Sequence, residues 1–120
     1  MASERTMDSI ARALRDLLDR RRMTDTELMA AANVSPATVS RYLSGSRGLR
    51  MNSQAVATVE KLAHALGVAP EYFREYRAWQ VREIARQAPE LVDRIYDLLI
   101  EDARLRGLVI PGDVRTDDGE

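Results

Sequence analysis

Residues 24–44, TDTELMAAANVSPATVSRYLS, constrain the fold more than any other stretch, because they spell two short helices with room for one tight turn. Thr24 followed three residues on by Glu27 predicts a capping box. The Thr24 hydroxyl would accept the Glu27 backbone N–H, and the Glu27 carboxylate would accept the Thr24 N–H. Leu28 and the run Ala30 to Ala32 continue a compact helix. Asn33 falls where that helix must stop, and asparagine enters the left-handed region cheaply. Val34 then plugs the corner. Ser35 is a good N-cap, and Pro36 at the first helical position forfeits no hydrogen bond. The second helix is predicted from Pro36 to about Ser44, closed by Gly45.

Two helices joined this way make a helix-turn-helix, whose second helix is built to lie in the DNA major groove. TELMAAANVSPATVSRYLSGSR, followed by a helix ending LAHALGV and then APEYF, resembles the Cro/C1-type (XRE) helix-turn-helix family of bacterial and phage repressors. The resemblance covers roughly Ile10 to Phe73. It implies an all-α, five-helix lambda-repressor-like DNA-binding domain, here followed by a C-terminal helical extension. Three positions depart from the family pattern. Asp25 stands where a phosphate-holding glutamine is usual, and an acid there repels the DNA backbone. Met29 replaces a small residue at the contact between the two helices. Asn33 replaces the turn glycine. A narrower resemblance, in layout and in the stretch VREIARQAPELVDRIYDLL, is to the EspR-type actinobacterial regulators.

Charge and composition agree with a nucleic-acid partner and exclude other classes. The net charge of −1 conceals +3 over residues 1–50 and −4 over residues 51–120, so the basic half carries the motif. There are no cysteines, which removes disulfides and thiolate metal sites and points to a reducing cytoplasm. No apolar run approaches the roughly 18 residues of a membrane span. The N-terminus, MASERTMDSIARALRD, carries acids and no apolar core, unlike a signal peptide. The single histidine, His64, has no second His or Cys with which to build a metal or nucleophile site. It reads as a surface or boundary residue. No Gly-framed nucleophile or phosphate-cradling loop occurs, so neither catalysis nor a cofactor or metal is expected.

Helix signals recur along the chain and strand signals are absent. A first helix is predicted from about Asp8 to Arg22, with Ile10, Leu14, Leu17 and Leu18 on one face; the Arg20-Arg21-Arg22 run reads as charge at a helix C-terminus. SGSRGLRMN is a loop. Ser53 is the expected cap of a fourth helix carrying Val56, Val59, Leu62, Ala63 and Leu66, ended by Gly67. A fifth helix is expected to open at Pro70 and run to about Ala88, and a sixth to run from Pro89 to Arg106, stopping at Gly107. The division predicted is a DNA-binding domain over 8–73, a helical extension over 74–107 and a tail over 108–120 whose end, RTDDGE, is disordered.

On the second motif helix Val34, Val39 and Tyr42 or Leu43 must face inward. The resemblance implies groove-facing positions at Ser35, Pro36, Ala37, Ser40, Arg41 and Ser44. Arg41 is the leading base reader, because its guanidinium fork can hold guanine O6 and N7 together. Ala37 can accept a thymine methyl, and Ser40 can pair with several bases; Pro36 and Ser44 complete the base-reading set. Ser35 and Thr38, with Ser46, Arg47, Arg50 and Asn52 around the following loop, are the candidate phosphate contacts.

In the extension, Leu91, Ile95, Leu98 and Leu99 form one stripe of the sixth helix, which Val92, Tyr96, Ile100 and Ala103 widen. The fifth helix adds Tyr72, Phe73, Tyr76, Trp79, Val81 and Ile84. Such a stripe exceeds what one small neighbour would bury. It is expected to pair with a second copy through Trp79, Leu91, Val92, Ile95, Tyr96 and Leu99, the alternative being that both helices fold back as core. The expected function is a sequence-specific regulator of transcription, a homodimeric repressor on double-stranded DNA. The competing readings are an antitoxin, whose extension binds a toxin protein, and a nucleoid-organising protein with weak sequence preference.

Overall fold

The computed structural model describes residues 4–45 and 50–112. Among them are six α-helices and no strand: α1 (Ile10–Arg21), α2 (Asp25–Ala32), α3 (Pro36–Ser44), α4 (Ser53–Leu66), α5 (Arg74–Gln87) and α6 (Pro89–Leu105). A single 3-10 turn, Pro70–Tyr72, precedes α5. The chain forms two compact units, divided between Val81 and Arg82 within α5. No helix of the described residues is long and apolar enough to cross a membrane.

In the first unit, capping fixes where each helix begins and ends. The Ser9 hydroxyl accepts the Arg12 N–H, so α1 starts at Ile10 and not at Asp8. Arg22 lies in the left-handed region at φ 52°, and the N–H groups of Arg22 and Met23 turn back to the Asp19 and Leu18 carbonyls. That ends α1 one residue earlier than its charge pattern predicts. The Thr24–Glu27 capping box forms in both directions, at 3.1 Å and 2.8 Å. Asn33 takes the left-handed turn at φ 56°, as its chemistry predicts. Ser35 caps α3 by accepting the Thr38 N–H at 3.2 Å, and Gly45 closes the helix at φ 71°. A Cβ on Gly45 would also stand 3.4 Å from the Ala11 Cβ, so the residue lets α3 end close against α1.

Two further boundaries differ from the predicted ones. The cap of α4 is Asn52, whose Oδ1 accepts the Ala55 N–H at 2.9 Å, while Ser53 is already helical. Asparagine and serine cap about equally well, so sequence alone could not separate two adjacent candidates. Pro70 opens a 3-10 turn and not the fifth helix, because Phe73 is extended at φ −88°, ψ 131°. Tyr72 and Phe73 are both buried, Tyr72 as the last residue of the turn and Phe73 as the extended residue after it. Their rings meet edge to face at 5.3 Å.

The core of this unit gathers Leu14 and Leu17 from α1, Leu28 from α2, Val39 from α3, and Val59, Leu62 and Leu66 from α4, all fully buried with Phe73. Helix α1 packs on α3 and α4, and α2 on the same two helices. The N-terminal segment is strapped on by Arg77, which donates to the backbone oxygens of Thr6, Glu71 and Tyr72 at 2.8–2.9 Å. The buried Tyr76 hydroxyl donates to Glu60 at 2.7 Å. Burial first, and then that hydrogen bond, push its phenol up to about 12, which keeps it a donor at neutral pH.

The second unit comprises the end of α5 and α6. Ala88, at φ −138°, ψ 76°, separates the two helices, as the residue before a proline is driven from helical geometry. Helix α6 ends at Leu105, with Arg106 as its cap, Gly107 at φ 70° and the Leu108 N–H returning to the Ala103 carbonyl at 2.9 Å. None of its 17 residues is buried. The tail is described as far as Gly112, so the predicted disorder of RTDDGE concerns residues outside the described ones.

Candidate nucleic-acid interface

Helix α3 is held by one edge and free along the other. Val39, Tyr42 and Leu43 are buried, and Val34 in the preceding turn packs partly against the same core. The inward set therefore includes both Tyr42 and Leu43, where the pattern left one or the other. Pro36, Ala37, Ser40, Arg41 and Ser44 are all exposed. The Ser44 hydroxyl donates to the Arg41 backbone carbonyl at 3.0 Å. The Arg41 guanidinium enters no ion pair among the described residues. Its exposed fork of donors meets no carboxylate among the described residues, which suits bidentate recognition of a base edge or a phosphate.

The candidate phosphate contacts are placed less uniformly. Ser35 is exposed and Thr38 half-buried, and their hydroxyls lie 2.9 Å apart in a mutual hydrogen bond at the N-terminus of α3. Arg50 is exposed. Asn52 uses its side-chain oxygen as the cap of α4, which leaves its NH2 group to donate outward. Ser46 and Arg47 lie outside the described residues. Replacing Arg50 by alanine is expected to weaken binding to all duplex sequences alike and to lower the slope of log K against log salt by roughly 1. A slope equal to that of the parent chain would make Arg50 an ordinary surface residue.

Long-range pairing adds a residue that local sequence reading misses. The Arg15 guanidinium lies 4.0 Å from the Asp25 carboxylate, both groups about half exposed or more. The acid that interrupts the family pattern thus has a cation beside it at the start of α2. Arg15 and Asp25 belong to different helices, and no spacing rule joins them. The Arg20-Arg21-Arg22 run does not form a uniform basic rim. Arg20 is held by Asp16 at 2.7 Å, Tyr72 at 3.3 Å and Glu4 at 3.6 Å. His64 is exposed on α4.

Two helices set by a capping box, a left-handed turn residue and a serine-proline start, with a polar edge of the second presented to solvent, define a helix-turn-helix DNA-binding module. The model of the helix-turn-helix domain matches residues 9–76, more than half of the chain. The chain belongs to that family, in its Cro/C1 (XRE) class, and DNA binding follows from the membership. No curated protein and no solved structure matches it.

Proposed function

We propose that the chain is a sequence-specific regulator of transcription, acting in the cytoplasm at the nucleoid as a homodimeric repressor on an inverted-repeat operator. The observation that carries this reading is the outward edge of α3, where the exposed Arg41 sits among Ala37, Ser40 and Ser44. Small neighbours let the helix approach the groove floor, and one long fork then reads a guanine. The whole reading unit is rigidly based, since the opposite edge of α3 is buried core.

The dimeric part of the reading is supported by the extension. One helix reads only a few base pairs, so a two-fold pair reading two half-sites gains both affinity and discrimination. Val92, Ile95, Tyr96, Leu98 and Leu99 of α6 are all at least 40% exposed in the single chain, which is costly unless something covers them. Trp79 contributes less than its size promises: it is half-buried on the core and stacked at a tilt on Tyr76.

Selection of bound sequences from a random duplex pool, followed by affinity measurement at fixed salt, tests the reading. An inverted repeat bound at least about 1,000-fold better than random duplex is expected. A ratio near unity would favour a nucleoid-organising role, and co-purification of a second, different chain on α6 would favour an antitoxin. Arg41→Ala is expected to cost about 1–3 kcal/mol on the selected site and to relax preference at one base pair per half-site. Equal losses on selected and random duplex would make Arg41 a phosphate contact.

A further inference from the structure

We propose that two copies of the chain pair through α6 in an antiparallel, two-fold symmetric seam, in which Arg94 of each copy forms an ion pair with Glu101 of the other. The proposal rests on the homodimer reading above and adds to it the direction and register of the contact.

Leu91, Ile95, Leu98, Asp102 and Leu105 recur at spacings of four and three, the pattern of a coiled-coil seam. Ile95, Leu98, Leu99 and Asp102 line an open groove of about 440 Å³ along it. One flank of the seam carries Arg94 and Glu101, seven residues apart and opposite in sign. Neither takes part in an ion pair or hydrogen bond among the described residues, although α6 offers ample charge nearby. The other flank carries Val92 and Leu99, also seven apart and both apolar.

A single antiparallel register pairs the centre of the seam and both flanks. Setting Ile95 against Leu98 of the partner subunit places Val92 beside Leu99 of the partner subunit. It also places Arg94 beside Glu101 of the partner subunit, and the two-fold axis repeats each pair. One flank then closes by charge and the other by apolar contact. A parallel pairing does worse on two counts. It sets the two Asp102 carboxylates side by side in the seam, and like charges in contact oppose association. It also leaves Glu101 only Arg106 to face, and Arg106 is already held by Asp102 of its own helix at 2.9 Å. In the antiparallel seam Asp102 faces Leu91 at the rim and keeps its arginine.

The test is a charge swap in the full chain, read by sedimentation and by native mass spectrometry with one variant mass-labelled. Arg94→Glu alone sets glutamate against glutamate, and Glu101→Arg alone sets arginine against arginine. Each is expected to weaken self-association at least 10-fold with helicity unchanged, since Arg94 and Glu101 are exposed within their own chain. Mixing the two variants is expected to yield the heterodimer, and the double variant to recover the homodimer. Leu105→Cys adds a readout in a chain without cysteine. Antiparallel pairing keeps the two sulfurs on the order of 25 Å apart at 1.5 Å per residue, so no disulfide forms. A dimer that crosslinks readily at this position, or variants that do not associate on mixing, overturns the register while leaving the dimer standing. A parent chain that is monomeric at 100-fold the concentration used for DNA binding overturns both.

Discussion

Phe73→Ala is expected to cost the DNA-binding unit about 3–5 kcal/mol, the largest loss of any single substitution considered for this protein. Phe73 is fully buried, and its ring meets Tyr72 edge to face at 5.3 Å where the chain breaks out of the 3-10 turn. Alanine would leave a void between rigid neighbours: α4 on one side, itself packed against the turn, and the start of α5 on the other. Arg77 ties the turn to the N-terminal segment and Tyr76 is tied to Glu60, so closing the void would strain these bonds. A small domain has only about 5–15 kcal/mol of total stability, so the thermal midpoint should fall by tens of degrees. Calorimetry or urea titration reads this directly. A loss below about 1 kcal/mol would mean that the turn can repack and that Phe73 does not hold α4 and α5 in place.

The helix-turn-helix was legible because every signal in it is local. Thr24 and Glu27, Asn33, Ser35 and Pro36 act within one helical turn of where they stand, so their sequence reading passes directly into geometry. At the starts of α4 and α5 the local signals do not decide the boundary. Asn52 and Ser53 are equivalent caps, and which one serves depends on the extended backbone of Asn52. At Pro70 a good helix start gives only a 3-10 turn, because Phe73 is extended and the regular helix begins one residue later at Arg74. Of the fifth-helix aromatics that the pattern leaves open between partner surface and core, Tyr72, Phe73 and Tyr76 are core of the first unit. Composition cannot assign an apolar residue to its own domain or to a partner. Within the candidate interface the outward edge of α3 follows from helical spacing alone. The Arg15–Asp25 approach does not, because it depends on how α1 and α2 cross.

A chain ending at Ala88 is expected to unfold within a degree or two of the full-length protein, to be monomeric, and to bind a two-half-site duplex roughly 100-fold more weakly or worse. Thermal stability should hold because the compact first unit ends at Val81 and α6 contributes no buried residue. Affinity should fall because joining two reading units makes the second half-site an intramolecular event, and such coupling is worth about 10²–10⁴ in apparent affinity. The same chain should bind an isolated half-site as well as the full-length protein does, since α3 and its flanking loop are untouched. Three measurements therefore separate the roles of α6. A large drop in melting temperature would make α6 part of the core, and an unchanged affinity for the paired site would place the coupling between copies elsewhere. Loss on the paired duplex with none on the half-site is the result that only a dimerising α6 gives, because neither lost folding nor lost base contacts can spare the half-site.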